Sequence, residues 1–251
     1  DHSEKMLTHF GADVQVEELD GGARRITLKG QPELKGRDVI VPADISSAAF
    51  ALVAASIAPG SDVTVTNVGL NPLRAGVVET LKDFGADIEI LNQRIEAGES
   101  VGDLHVKFAP LKGCTVPASR APAQIDEYPV LFAAAACAEG ESRFEGLEEL
   151  RVKESDRLSV MATGLKACGV ELEEGEDWLV IKGVGGAANR VPGGATVASS
   201  LDHRIAMSFL VLGFASENPI TVDDASPIET SFPGFRDLME SIGARFSVEE
   251  G

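Results

Sequence analysis

The densest group of charged side chains in the sequence could bind an anion and move a proton. Residues 148–158 (EELRVKESDRL) bring Lys153, Glu154 and Arg157 close together along the chain. Guanidinium groups bind phosphate or carboxylate through paired hydrogen bonds, and a neighbouring carboxylate can exchange a proton with the bound ligand. If Lys153 and Arg157 lie on one helix, they repel each other. This predicts an anion or a carboxylate between them, with Glu154 the nearest candidate.

A solvated helix start with scattered ion pairs is the alternative interpretation of residues 148–158, because surface ion pairs are common and contribute only about 0–1 kcal/mol each. The equivalent turns of two related segments, residues 71–73 and 229–232, lack such a cluster. The scaffold therefore does not require these charges, and this favours a functional role for them.

A second group begins a long apolar segment at residues 201–208 (LDHRIAMS). The N-terminus of a helix has free N–H groups and a partial positive charge, and Arg204 in the first turn adds a guanidinium suited to phosphate or carboxylate. A cation is locally unfavourable at this end of a helix, so an anionic ligand is expected. The alternative is that Asp202 only caps the helix and His203 only points to solvent.

A third candidate is Asp126, within residues 124–129 (QIDEYP). Asp is a favoured residue at helix N-termini, and Asp44 and Asp202 precede similar apolar segments, so Asp126 is expected to cap a helix. A carboxylate in such a place can also act as a general base, and the sequence leaves that possibility open.

The elements that position these residues follow a repeated pattern. An amphipathic helix ends in glycine, which accepts the left-handed conformation past a helix end, and an alternating strand follows. The glycines are Gly11, Gly85, Gly169 and Gly243. Strands are predicted after them, including one at residues 246–248. The Ala-rich segments that follow Asp44, Asp126 and Asp202 are apolar on most sides, which predicts helices that are buried all round.

This pattern predicts an α/β fold of repeated βαβαββ units packed around buried helices. Residues 1–40 are predicted to be the C-terminal tail of a preceding, N-terminal domain. Residues 41–251 are predicted to form one domain of three units, at about 36–110, 111–190 and 191–251, and the boundary depends on the phase of the repeat alone. The chain lacks a starting Met, so we expect a fragment with a missing upstream part.

Composition excludes several classes of function. The 251 residues carry a net charge of −18, which argues against nucleic acid or anionic membrane as a partner. No stretch approaches the roughly 18 consecutive apolar residues of a membrane span. The three cysteines have neither a CxxC pairing nor a nearby histidine, so no disulfide framework and no metal site is expected, and a reducing cytoplasm is the simplest location.

Several segments together resemble the EPSP synthase family (3-phosphoshikimate 1-carboxyvinyltransferases). Residues 151–158 (RVKESDRL) and 202–208 (DHRIAMS) resemble two of its signatures. Residues 1–7, 125–129 and 230–233 resemble its bacterial class II branch, so the resemblance runs from end to end. Thr230 stands where many members have lysine, a departure that class II members also tolerate.

The resemblance implies an inside-out α/β barrel of the enolpyruvyl transferase type and a cytoplasmic enzyme of the shikimate pathway, which leads to the aromatic amino acids. The family transfers the enolpyruvyl group of phosphoenolpyruvate to the 5-hydroxyl of shikimate 3-phosphate and releases phosphate, through a tetrahedral intermediate. It needs no metal or organic cofactor. Its members have two domains that close on the substrates, and we expect a monomer when the protein is complete.

Catalytic roles follow from the same resemblance. Asp126 would accept the proton of the attacking hydroxyl, and Lys153 would hold shikimate 3-phosphate near it. Glu154 would exchange a proton with the methylene carbon of phosphoenolpyruvate.

Binding roles are implied in the same way. Arg157 and Arg204 would hold the phosphate and carboxylate of phosphoenolpyruvate, and His203 would be a further substrate-binding residue. The family's N-terminal region, with a catalytic lysine, another arginine and a set of residues that binds the sugar phosphate, is absent. This chain alone is therefore expected to be inactive. The alternatives are a UDP-N-acetylglucosamine enolpyruvyl transferase and a non-catalytic anion-binding module.

Overall fold

The computed structural model describes residues 1–185 and 189–248, which form eight α-helices and thirteen strands. The helices are α1 (His2–His9), α2 (Ile45–Ile57), α3 (Gly76–Asp83), α4 (Tyr128–Cys137), α5 (Arg157–Ala167), α6 (His203–Leu212), α7 (Ser226–Ser231) and α8 (Phe235–Ser241). The strands are β1 (Val14–Glu18), β2 (Arg24–Leu28), β3 (Asp62–Gly69), β4 (Asp87–Glu96), β5 (Glu99–Lys107), β6 (Thr115–Val116), β7 (Glu139–Glu145), β8 (Glu171–Glu174), β9 (Trp178–Val184), β10 (Val191–Gly193), β11 (Thr196–Val197), β12 (Ser216–Asn218) and β13 (Thr221–Val222).

Three apolar helices, α2, α4 and α6, pack against one another at the centre of the molecule. Residues 128–136 of α4 are all buried, and nearly all of α2 is buried as well. Alanines make close helix packing possible. The Tyr128 and Phe132 rings stack on each other, and both meet Phe144 edge to face. The prediction that these helices are buried on all sides is confirmed.

The predicted glycines end their helices as expected. Gly11, Gly85, Gly169 and Gly243 have φ values of 98°, 83°, 84° and 106°, which a residue with a Cβ rarely adopts. Strands β1, β4 and β8 follow the first three glycines. The strand predicted at residues 246–248 is wrong: the chain there is irregular, and the Phe246 ring packs on Phe214 and Phe235 instead of extending a sheet.

Two sheets share one arrangement. Strands β3, β5 and β4 form an antiparallel sheet in that order, and Ala43 adds a parallel bridge to Val68. Strands β6, β7, β9 and β8 form the second sheet, in which β6 runs parallel to β7 and the other neighbours are antiparallel. In the third repeat, short parallel pairs β10–β12 and β11–β13 stand in place of a larger sheet.

The N-terminal segment consists of α1 and the β1–β2 hairpin, followed by residues 29–42 without regular structure. Polar side chains join α1 to the body of the molecule: Asn71 Nδ2 donates to Asp1 Oδ1 over 2.6 Å, and Lys5 Nζ lies 3.1 Å from Asp1 Oδ1 and 3.2 Å from Glu99 Oε2. The division between a tail at 1–40 and a domain at 41–251 stays a prediction.

A membrane span would need a longer and more apolar helix than any that the described residues form.

Candidate active site

Asp126 lies in a short 3-10 turn, Ile125–Glu127, that precedes α4. The prediction that Asp126 caps the following helix is wrong, because this extra turn delays the start of α4 to Tyr128 and no side chain caps it. Asp44 and Asp202, by contrast, do accept hydrogen bonds from the first backbone N–H groups of α2 and α6. The carboxylate of Asp126 is thereby left to contact side chains from other elements.

Two cations contact the same oxygen of Asp126. Its Oδ1 lies 3.3 Å from Lys153 Nζ and accepts a hydrogen bond from Arg157 Nη1 over 3.2 Å. The condition of a shared helix, on which the repulsion between Lys153 and Arg157 was predicted, does not hold. Lys153 has an extended backbone after the turn Glu148–Val152, and α5 begins at Arg157. A carboxylate does lie between them, but it is that of Asp126; Glu154, the candidate nearest in the sequence, contacts Arg157.

Glu154 also pairs with Arg157, its Oε2 lying 2.5 Å from Nη2. The Glu154 side chain is 55% exposed, while that of Arg157 is 1% exposed. The carboxylate of Glu154 can therefore leave the guanidinium and reach a ligand, whereas Arg157 is fixed.

Asp202 anchors Arg157 from the opposite side. Arg157 Nε donates to Asp202 Oδ2 over 2.8 Å, and Ser155 Oγ donates to the same oxygen over 3.0 Å. Burial opposes ionisation of Asp202, but the hydrogen bond and charge of Arg157 outweigh it and lower its pKa. The alternative in which Asp202 only caps α6 is therefore wrong, because it also forms a buried ion pair.

The Arg204 side chain extends from the start of α6 toward the 3-10 turn that contains Asp126. Its Nη1 donates to the backbone carbonyl of Asp126 over 3.1 Å and lies 3.8 Å from Glu127 Oε1. His203 is half-buried beside it, and burial together with the Arg204 charge lowers the pKa of the imidazole. His203 is thus neutral at pH 7 and able to donate or accept one hydrogen bond.

The cations around Asp126 decide its charge. Burial opposes ionisation of the carboxyl, but Arg204, Lys153 and Arg157 together hold its pKa below the usual range. Lys153 is affected in the opposite direction: burial disfavours its charge, yet hydrogen bonds to Glu149, at 2.7 Å, and to Asp126 raise its pKa. Asp126 and Lys153 are therefore both ionised at neutral pH.

Three residues of the site escape sequence analysis. Glu127 is completely buried beside Asp126, and Arg74 and Ser46 contact it from the first repeat. Arg74 is a single arginine directly after residues 71–73, which lack a cluster like that of residues 148–158, and Ser46 looks like an ordinary helix residue. Only the position of Glu127, an acidic residue directly before a ten-residue apolar helix, could have drawn attention.

Arg151 holds the loop that carries Lys153 and Glu154. Its guanidinium donates to Asp156, to Glu174 Oε1 over 3.1 Å and to the backbone carbonyls of Gly175 and Glu176 over 2.5 and 2.6 Å. These hydrogen bonds fix the loop against the β8–β9 turn. A lysine could not replace Arg151, because an ammonium group lacks the planar set of donors of a guanidinium.

No three His, Cys, Asp or Glu side chains group as metal ligands within residues 1–185 and 189–248. The expectation that the reaction needs no metal stays a prediction.

Comparison with known proteins identifies the family of the chain. A family model described as EPSP synthase (3-phosphoshikimate 1-carboxyvinyltransferase) matches residues 1–239. The chain belongs to this family. A relative from Chelativorans sp. (strain BNC1), named 3-phosphoshikimate 1-carboxyvinyltransferase, is 58% identical over 244 residues, which are 97% of this chain and 54% of the relative. The resemblance to the EPSP synthase family stated from the motifs is confirmed.

Solved structures agree with this membership. EPSP synthase from Acinetobacter baumannii superposes with a TM-score of 0.93 at 45% identity and covers 100% of this chain and 56% of that chain. The enolpyruvyl transferase NikO from Streptomyces tendae, with a TM-score of 0.66 and 19% identity, shares the fold alone. The predicted α/β fold of the enolpyruvyl transferase type is therefore confirmed. The chain spans about half the length of the EPSP synthases that it matches.

Proposed function

We propose that this chain supplies one side of the active site of an enzyme that transfers the enolpyruvyl group of phosphoenolpyruvate to the 5-hydroxyl of shikimate 3-phosphate, which yields EPSP and phosphate. The observation that carries the proposal is the convergence on one turn: Lys153 and Arg157 contact the carboxylate of Asp126, and Arg204 contacts its backbone carbonyl. Family membership supports shikimate 3-phosphate, and not UDP-N-acetylglucosamine, as the acceptor.

Asp126 is the proposed base for the attacking hydroxyl. In the free chain its low pKa makes it a weak base, because Arg204, Lys153 and Arg157 stabilise the carboxylate. Two anionic substrates would draw the Lys153 ammonium toward their own oxygens, while the buried Arg157 stays in place. The Asp126 carboxylate would then lose stabilisation and become more basic when the hydroxyl is in place.

Glu154 is the proposed acid that exchanges a proton with the methylene carbon of phosphoenolpyruvate. Its exposed carboxyl lies against the buried Arg157, which would hold a phosphate or carboxylate of the same substrate. Arg204 and the neutral His203 would complete the anion site from the start of α6, where free backbone N–H groups add positive potential.

The remaining part of the active site would come from a segment that corresponds to the other half of the relatives. The proposal also includes a cytoplasmic location, which suits the free thiols of Cys114, Cys137 and Cys168, and a monomeric complete enzyme. This chain alone would bind substrate weakly and would not turn over.

The test is a fusion enzyme in which the N-terminal part of the Chelativorans relative precedes residue 1 of this chain. We expect phosphate release from phosphoenolpyruvate that depends on shikimate 3-phosphate and does not occur with UDP-N-acetylglucosamine. The variants Asp126→Asn and Arg204→Gln should lose that activity, while Asp44→Asn, a cap outside the site, should keep it. A folded fusion enzyme without phosphate release would overturn the proposal, and anion binding without release would favour a non-catalytic module.

A further inference from the structure

A second buried carboxylate stands next to Asp126 and contacts arginines from two other repeats. The side chain of Glu127 is 0% exposed. Its Oε1 lies 3.6 Å from Arg74 Nη2, in the turn after β3, and 3.8 Å from Arg204 Nη1, at the start of α6. These three residues belong to three different repeats, so no single repeat needs the contact for its own fold.

Ser46 links Glu127 to Arg74. Its hydroxyl donates to Glu127 Oε1, and its oxygen accepts a hydrogen bond from Arg74 Nη2 over 2.8 Å. Ser46 is itself buried, in the first turn of α2. The position of the Arg74 guanidinium is thereby set from two sides.

Arg74 points from this anchor toward the site. Its Nη2 lies 4.0 Å from Asp126 Oδ2, on the other carboxylate oxygen from the one that Lys153 and Arg157 contact. The Arg74 side chain is 31% exposed, so part of its guanidinium is free to meet a ligand. Cations from the first two repeats thus face the Asp126 carboxylate, and Arg204 from the third contacts the backbone carbonyl of the same residue.

The arrangement repeats the one around Arg157. There a fully buried carboxylate, Asp202, holds one edge of a guanidinium whose other edge faces Asp126. Glu127 likewise lies beside two arginines, Arg74 and Arg204, but at distances longer than hydrogen bonds, and in each arginine the nitrogen nearest Glu127 is also the one nearest Asp126. The charge of Glu127 therefore holds these two guanidinium groups, while their hydrogen bonds go to Ser46 Oγ and to the backbone carbonyl of Asp126.

Glu127 also keeps one unused acceptor. Its Oε2 is buried and has no hydrogen-bond partner among the described residues. A buried carboxylate oxygen without a donor is costly, so it is retained only where something compensates for it. Burial raises the pKa of Glu127 and outweighs the opposing effects of Ser46, Arg74 and Arg204.

We propose that Glu127 is a positioning residue that fixes Arg74 and Arg204 beside Asp126, and that Arg74 is a further anion-binding residue of this site. The inference rests on the proposed function. The ligand chemistry is an oxyanion, a phosphoryl or carboxylate group, which either substrate could present.

Steady-state kinetics of the fusion enzyme test this inference. For Arg74→Gln and Glu127→Gln, we expect KM for one of the two substrates to rise about tenfold, equivalent to about 1.4 kcal/mol, with a much smaller change in kcat. A higher KM for phosphoenolpyruvate alone or for shikimate 3-phosphate alone identifies which oxyanion Arg74 meets. The double variant should cost less than the sum of the single ones, because both residues act on one guanidinium.

Matched controls are Arg120→Gln and Glu96→Gln. Arg120 pairs with Asp83 and donates to Thr80 Oγ1, both in α3, and Glu96 pairs with Arg94 at the end of β4. Both controls should leave KM and kcat unchanged. If Arg74→Gln and Glu127→Gln lower only the melting temperature and leave both KM values as in the controls, the two residues are structural and the inference is wrong.

A binding measurement separates this inference from the proposed function. Inorganic phosphate titrated into the 251-residue chain should shift NMR signals of the 125–127 turn, and Arg74→Gln should weaken that binding several-fold relative to Arg120→Gln. This result would hold even if the fusion enzyme released no phosphate. Equal phosphate affinity in Arg74→Gln and Arg120→Gln, or no binding at all, would overturn the inference.

Discussion

Arg157 and Asp202 form an ion pair between the starts of two helices, with Arg157 Nε donating to Asp202 Oδ2 over 2.8 Å. Their side chains are 1% and 0% exposed. Arg157 begins α5 and Asp202 caps α6, so one buried contact fixes the second repeat against the third. Because Asp126 contacts the other edge of the same guanidinium, the stability of the fold and the geometry of the candidate site depend on one arginine.

Replacing the buried carboxylate should destabilise the protein strongly. We expect Asp202→Asn to lower the free energy of unfolding by about 3–5 kcal/mol, because it leaves a buried guanidinium without its main counter-ion. Asp44→Asn is the matched control: Asp44 caps α2 in the same way but pairs with no arginine among the described residues. Asn caps as well as Asp, so less than about 0.5 kcal/mol should be lost. Urea unfolding followed by circular dichroism measures both. Equal losses would show that capping alone explains Asp202.

Low pH should remove the stability that the ionised carboxylates contribute. The pKa values of Asp202 and Asp126 are lowered in the folded state, so their contribution to stability is present above the unfolded value of 3.8 and is lost as pH falls through the folded values. The urea concentration at the midpoint of unfolding should therefore fall steeply below about pH 4. In Asp202→Asn that drop should be shallower. An unchanged slope would mean that Asp202 is not ionised in the folded protein.

Glu127 should show the opposite dependence on pH. Burial raises its pKa above the ordinary value of 4.5, so its contribution to stability is present below that value and is lost as pH rises through the folded pKa. Gln imitates the protonated form at every pH. The stability of Glu127→Gln relative to the unsubstituted chain should therefore increase from pH 4 to pH 7, measured by urea unfolding at each pH. A difference that stays constant would contradict the raised pKa.

Local patterns in the sequence predicted the scaffold well. The buried helices follow from long Ala-rich apolar segments, and the glycine at each helix end has the left-handed backbone that its position requires. Both signals are local, because they depend on residues within a few turns. The strand predicted at 246–248 failed since alternation alone cannot supply a neighbouring strand, and Phe246 packs into an aromatic cluster instead.

The site was predicted only in part, for a physical reason. The motifs identified Lys153, Arg157 and Arg204, but the single 3-10 turn that moves Asp126 from a cap to the centre of the cations has no clear sequence signal. Glu127 and Arg74 meet only through the packing of separate repeats. Contacts of that kind are fixed by tertiary structure and leave no local spacing to detect.

Close packing between α5 and α6 gives a prediction that is independent of charge. A Cβ on Gly164 would lie 2.2 Å from Phe209 Cζ, so Gly164→Ala should cost about 1–3 kcal/mol although alanine favours helices. Gly213 provides the control. It has a helical φ of −56°, and a Cβ added to it would lie 4.0 Å from the Cβ of Ile220. Gly213→Ala should be neutral or stabilising by up to about 1 kcal/mol. Thermal unfolding distinguishes them, and two equal melting temperatures would contradict the tight contact.

Asp126 should oppose anion binding while it promotes turnover. In the fusion enzyme, Asp126→Asn removes the proposed base, so kcat should fall by about 10²–10⁴-fold. In the 251-residue chain the same change removes the negative charge that Lys153 and Arg157 share, so inorganic phosphate should bind more tightly, by about threefold to fivefold for a partly exposed pair.

Asp44→Asn is again the control, because Asp44 lies outside this group of cations and should change neither kcat nor phosphate affinity. Isothermal titration and phosphate-release kinetics provide the two measurements. Opposite effects of one substitution on binding and turnover would separate a catalytic carboxylate from a structural one. If Asp126→Asn weakened phosphate binding, the carboxylate would instead be organising the cations, and its assignment as the base would lose its support.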